Sequence, residues 1–317
     1  MGTNHPVQRA MVELPCAELE QTLAYFTDDL HFRVDAIFPA DDPQIAELSG
    51  HGLTLRLVRG STAPAAKLRI ACADTNRVTV SVAPNGTQIE RAPAEQTLEL
   101  PPVKQSLVIS NEQGDENGAW QTGRAGMLYR DLIPDRLGGR YIASHIRIPN
   151  GGPVPDYVHF HKIRFQMIYC YKGWVRLVYE DQGEPFVMHA GDCVLQPPQI
   201  RHRVLESSDG LEVIEIGCPA DHETLADHDI ELPTPTLDSN RDFDGQRYAF
   251  HESSKATWVP AAVSGFEMRD FGFGQATKDI GRSRVLRPTT HEPSDWFAPE
   301  ADLHFLFVAT KFEVQVR

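Results

Sequence analysis

The sequence predicts a mainly β chain with an α+β N-terminal part, and three observations carry that reading. Short alternating or apolar runs recur along most of the 317 residues. Turn residues break them at close intervals, with 23 Gly and 23 Pro in the chain. Only residues 17–30 show clear helical periodicity. The length suits two or three domains. Composition shifts divide the chain into an α+β part at 1–95, a connector at 96–125, a strand-rich part at 126–235 and a partial repeat of it at 236–317.

Each element follows from local pattern. VQRAMVELP reads as a strand. Residues 17–30 form a helix whose apolar face is Leu19, Leu23, Tyr25, Phe26 and Leu30. FRVDAIFP and LTLRLVRG alternate as strands, and the part as a whole reads as a β-α-β-β-β unit. APAEQTLELPPVKQ and NEQGDENGAW are rich in Pro, Gly and acid, so 96–125 is a connector with one strand at SLVIS. GMLYRDLIPDRLGGRYIASHIRIPNGG reads as an entry strand, a Gly-Gly turn and the first barrel strand. Arg130, Asp131, Asp135 and Arg136 there read as a surface ion network. LPTPTLDSNRDFDGQ is a second linker. Beyond it, placing Ser283 on Ser144 makes the text echo the first barrel strands, with Ala298 under His159, Glu300 under His161 and Phe305 under Gln166. The echo keeps the strand pattern and loses the polar set. His291 and His304 are its only metal-binding types.

The chemistry concentrates in VHFHKIRFQMIYCYKGWVRLVYEDQGEPFVMHAGDCVLQPPQIRH. On a strand, residues two apart face the same way, so His159 and His161 aim both imidazoles into one space. With His202 they would converge as a first-row transition-metal site.

This stretch resembles the cupin family: His-x-His, four residues, a carboxylate position, a hairpin turn, then Gly191, five residues, Pro197 and His202. The resemblance covers roughly residues 126–235. It implies a small jelly-roll barrel in which His159, His161 and His202 bind one divalent metal. Gln166 stands at the fourth ligand position, where the family has Glu. Gln199 stands at a Gly position, Glu206 at an Asn position and Pro153 at the opening Gly. An amide cannot neutralise a divalent charge, so the centre would favour an anionic ligand. Ferrous iron is the first choice of metal; Mn, Ni, Cu and Zn suit the same donors. Arg164 and Tyr169 are the catalytic candidates, Arg164 as a partner for an anionic substrate. Tyr171, Cys193 and Leu195 are expected to line the lumen with Tyr169, and Gln196 to face away.

LPCAELEQTLAYFTDDLHFRVDAIFPADDP and APNGTQIE resemble the glyoxalase / vicinal-oxygen-chelate family. In that family metal ligands come from the first strand of each module and from the closing Glu. Glu90 matches the closing Glu, but Met11 and Leu68 fall at the other positions. This implies a metal-free relative, with an abbreviated second module because no helix fits between Lys67 and Arg91.

Function classes narrow accordingly. A formal charge of −14 disfavours nucleic acid and anionic membranes as partners. No run approaches the ~20 apolar residues of a membrane span. The start has no basic segment followed by an apolar one, and the five cysteines are scattered without a CxxC, which fits a cytoplasmic setting. We expect a homodimer acting on a small molecule. The first functional reading is a cupin oxygenase for a chelating organic substrate. The alternatives are a non-catalytic metal- or ligand-binding module and a metal-dependent isomerase or lyase.

Overall fold

The computed structural model describes residues 7–95, 97–110, 120–290, 292, 294, 296 and 299–310. The chain divides into two compact units, Met1–Thr97 and Leu98–Arg317.

The first unit begins with β1 (Val12–Cys16), helix α1 (Leu19–Ala24) continued by a wider turn at Tyr25–Asp29, β2 (Arg33–Phe38), β3 (Ile45–Gly50) and β4 (Leu53–Arg59). These strands form a sheet in the order β1-β4-β3-β2, with β1 parallel to β4. The predicted apolar helix face is what the fold buries. Leu19, Phe26 and Leu30 pack with Leu14, Leu48, Leu55 and Leu57 into one core. A second sheet holds β5 (Lys67–Cys72), β6 (Thr79–Val82) and β7 (Gln88–Pro93) in the order β5-β7-β6, again with its first and last strands parallel. No helix lies between β5 and β6.

The second unit opens with β8 (Gln121–Thr122), β9 (Leu128–Asp131), β10 (Ile142–Ile148) and β11 (Gly152–Pro153). Then come β12 (His159–His161), β13 (Phe165–Lys172), β14 (Trp174–Tyr179), β15 (Phe186–His189), β16 (Cys193–Leu195), β17 (His202–Ser207) and β18 (Leu211–Cys218). The tail adds β19 (Thr224–Ala226), β20 (Ala249–His251), β21 (Val259–Pro260), β22 (Phe266–Asp270) and β23 (Arg284–Pro288). One sheet contains the run β10-β18-β13-β16 and the other β12-β17-β14-β15. Leaving out the two-residue β11 and counting from β10, these orders are first-eighth-third-sixth and second-seventh-fourth-fifth, the strand order of a jelly roll.

Two cores alternate along the strands of the larger sheet. Cys170, Val194 and Val213 face the smaller sheet and pack with Val175, Leu177, Tyr179 and Met188. Phe165, Met167, Cys193, Leu195, Ile214 and Ile216 face the other way. That outer face is covered rather than solvated. Leu100, Val103 and Val108, from the stretch read as a connector, lie on it with Phe271, Phe273, Leu303, Phe305 and Phe307. The segment read as a partial second barrel thus contributes β20 to the large sheet, a separate three-stranded sheet β21-β22-β23 and an apolar cover. Ala298 and His291 lie outside the described residues; Glu300 and His304 are exposed. Among the described residues, no helix is long and apolar enough to cross a membrane.

Candidate metal centre

The histidine spacing is realised by strand pairing. His159 on β12 sits directly opposite His202 on β17, and His161 follows on the same face of β12. Their ring centroids lie 4.2 Å (159–202), 5.2 Å (161–202) and 5.3 Å (159–161) apart. One nitrogen from each ring falls within 4.8 Å of the other two, the only such group of three among the described residues.

The opposite ring nitrogens are anchored. His159 Nδ1 donates to the Tyr157 carbonyl (2.9 Å) and His202 Nδ1 to the Ile200 carbonyl (3.0 Å). His161 Nδ1 is 3.0 Å from Thr224 Oγ1, on the neighbouring β19. A backbone acceptor at Nδ1 fixes the tautomer and leaves the Nε2 lone pair for a ligand. Burial holds all three imidazoles neutral, lowering His159 and His202 and taking His161 down to about 3; the Arg124 cation adds to it at His159, and the neighbouring imidazoles add to it at His161 and His202. Three neutral nitrogen donors in a sheltered space suit a divalent ion with bonds near 2.1 Å.

Three charged residues from the surroundings change the electrostatics. Arg124 donates through Nη2 to His159 Nε2 at 2.9 Å, and its Nη1 pairs with the fully buried carboxylate of Asp156. Asp156 also accepts the Val204 N–H at 2.9 Å. Glu215, on the inner face of β18, accepts the Gln166 amide Nε2 at 2.6 Å. Farther out, His222 lies 5.3 Å from the His161 ring. Tyr179 stacks 5.6 Å from His202, and its hydroxyl accepts from Gln196 Nε2 at 3.0 Å. Gln196 Oε1 is buried with no protein partner.

The structure brings His159, His161 and His202 together and sets Gln166 on the inner face of β13. It departs from the sequence expectation for both catalytic candidates. Arg164 is exposed in the break between β12 and β13; its backbone N–H bonds Cys218 and its carbonyl accepts from Gln246. Residues 162–164 interrupt the strand, so lying between the ligand positions in sequence does not carry Arg164 into the site. Tyr169 is on the outer face of β13, stacked 6.1 Å from Phe271. Tyr171, Cys193 and Leu195 share that outer side, whereas Gln196 is the inward residue. Gln166 facing in requires Ile168 and Cys170 to follow it and sends the odd positions out. At Gln199 the backbone has φ 62°, the left-handed conformation that explains a glycine preference at that turn.

Sequence reasoning missed Arg124, Asp156, Glu215 and His222. Arg124 lay in the presumed connector. Glu215 had a usable signal, since LEVIEIG alternates and places Val213, Glu215 and Gly217 on one face. Nothing in the local text singled out His222. In the first unit, the candidate Glu90 is held by Lys67 (2.5 Å) and Arg69 (2.9 Å), and Lys67 foremost holds its carboxyl below the ordinary range.

No family model matches the chain, and no curated protein does. Among solved structures it is similar to an RmlC-like cupin from Shewanella frigidimarina NCIMB 400, at 24% identity over 37% of this chain and 95% of that one, with a TM-score of 0.30. It is similar to the polyketide cyclase RemF from Streptomyces resistomycificus at 18% identity over 39% and 89%, TM-score 0.32. Oxalate decarboxylase from Bacillus subtilis follows at 11% identity over 58% of this chain and 55% of that one, TM-score 0.37.

Proposed function

We propose that the second unit is a metal-binding cupin and that the chain is an oxygenase for a small, anionic, chelating organic substrate. The observation that carries this reading is the convergence of three neutral, Nδ1-anchored imidazoles within 4.8 Å inside a jelly roll. His159, His161 and His202 would hold the ion, with Gln166 as the fourth candidate. When bound, ferrous iron, our first choice over Mn, Ni, Cu or Zn, supplies Lewis acidity and electron transfer. The protein's part is positioning and shelter. Arg124, rather than Arg164, is the cation beside the imidazoles. Held by Asp156, its remaining N–H groups suit a carboxylate or enolate oxygen. The barrel walls restrict water around the reacting groups.

A second reading is favoured by one contact. Arg124 Nη2 already sits on His159 Nε2 at 2.9 Å, an arrangement that suits a metal-free module binding an anion. Elemental analysis after iron reconstitution, followed by an oxygen-uptake screen with catechols, diketones and hydroxy acids, separates the readings. About one iron per chain with substrate-dependent uptake supports the oxygenase. Stoichiometric zinc without uptake directs the search to isomerase or lyase chemistry. No metal after reconstitution leaves the binding module.

For the first unit we propose a glyoxalase-like fold, supported by its β1-β4-β3-β2 order and the shortened repeat β5-β7-β6. We also propose a cytoplasmic homodimer, checked by sedimentation equilibrium and cell fractionation.

A further inference from the structure

Gln166 is an amide at a position where the resemblance calls for a carboxylate, and a carboxylate stands directly behind it. Glu215 belongs to β18, opposite Ser144 of β10 and Ile168 of β13, on the face that carries Val213 into the inner core. Gln166 is 3% exposed and gives Nε2 to Glu215 Oε1 at 2.6 Å. Only one amide orientation is favourable there. The flipped amide would set two acceptor oxygens against each other. With Nε2 committed, Oε1 is the end left to meet a ligand.

The pair belongs to the wall of the histidine site. The Gln166 carbonyl accepts the Gln196 N–H at 3.0 Å, and the Gln196 side chain holds Tyr179 beside His202. Across the sheet, Gln166 pairs with Gly217, where a Cβ would lie 3.7 Å from His222, the neighbour of His161.

We propose that Glu215 is a positioning residue for the metal centre. It fixes Gln166 so that Oε1 is offered as the fourth donor. It also returns, one residue removed, the negative charge that an amide lacks. This rests on the metal-binding reading above. A partner that orients a ligand typically changes metal affinity 10- to 100-fold when lost.

The test uses Co(II) as probe, with affinity and visible absorption measured on the full chain. Glu215→Gln should weaken Co(II) about 10-fold or more. The exchange Gln166→Glu with Glu215→Gln should restore binding to the wild-type level or better. It preserves the hydrogen bond with its sense reversed and places the carboxylate against the ion, so the cobalt bands should shift. Affinity within twofold of wild type in Glu215→Gln, or an exchange variant no tighter than that single variant, would overturn the proposal. So would a lowered melting temperature with unchanged affinity, which a purely structural pair predicts. If Glu215→Gln does not fold, wild type against the exchange variant decides. Equal or tighter binding with shifted bands supports the proposal, and weaker binding or unshifted bands overturns it. His161→Ala is the control. Retained Co(II) there removes the metal reading itself. Loss there, with Glu215→Gln unaffected, removes only the role of Glu215.

Discussion

Histidines occupy the outer face of the larger sheet, at His145, and the inner side of the smaller sheet, at His159, His161 and His202, and the two places are built differently. On the outer face, His145 of β10 is 2% exposed and uses both ring nitrogens. Nδ1 is 3.2 Å from Arg130 Nη2, and Nε2 is 2.8 Å from Glu212 Oε2. Arg147 and Lys172 also approach Glu212, at 3.2 and 3.7 Å, and Arg147 lies over Trp120. Burial lowers His145, while Glu212 pulls it back up. On the inner side, each imidazole spends one nitrogen on an anchor and turns the other into the shared space, where Arg124 meets that of His159. A histidine whose two nitrogens are each held by the surrounding wall is architecture; three whose second nitrogens converge within 4.8 Å are equipped for a ligand.

That contrast can be broken most sharply by deletion on each side. His161→Ala should take bound metal from about one equivalent to none, read by elemental analysis, with the fold intact by circular dichroism. His145→Ala should leave metal stoichiometry unchanged. It should lower unfolding free energy by about 1–3 kcal/mol in urea, because Glu212 and Arg130 each lose a buried hydrogen-bond partner. Metal loss in His145→Ala would erase the distinction.

Acid sharpens it next. The three inner imidazoles have folded-state pKa values below the ordinary ~6.5 of an unfolded histidine, with His161 near 3. The unfolded chain therefore takes up protons first as pH falls. Stability is undiminished above about pH 6.5 and is lost below it, by up to about 1.4 kcal/mol per pH unit for each histidine. The loss from His161 levels off near pH 3. Urea midpoints from pH 8 to 5 should show it, with a shallower slope in His161→Asn. An equal slope in that variant would mean that His161 is not held neutral by the fold.

Smaller effects probe the border of the site. Arg124→Ala should keep the metal and weaken a dicarboxylate probe about 10-fold by calorimetry, the scale of one charge-assisted bond. Unchanged affinity would remove Arg124 from the substrate side. Gln199→Gly should raise stability by about 0.5 kcal/mol, the net of relieving left-handed strain against glycine's greater unfolded-state freedom. A loss of stability would mean that the Gln199 side chain contributes more than its backbone strain costs.

The histidine triad was legible because strand parity and the Gly191-to-His202 spacing both bear on it. Gln199 was legible as a residue standing at a glycine position, and its φ of 62° supplies the reason for that preference. Inner and outer faces were not legible, because FQMIYCY is apolar on both sides. A sheet buried on each face leaves no polar register to read. Arg130, expected in a surface ion network, is buried against His145 for the same cause: the cover comes from segments distant in sequence. Arg124 was hidden by its composition, since a polar, Gly-rich stretch reads as a connector whether or not one of its side chains turns inward.

The alternation along β13 has a use in protein engineering. Positions 166, 168 and 170 and positions 165, 167 and 169 form two separable alphabets on one ribbon. A library that varies only the even letters would retune what the lumen accepts while leaving the outer cover in register. One that varies only the odd letters would change how firmly residues 98–108 and the C-terminal aromatics clasp the barrel. Crossing the two libraries would map how strongly selectivity is tied to robustness in this molecule, with a single strand as the loom.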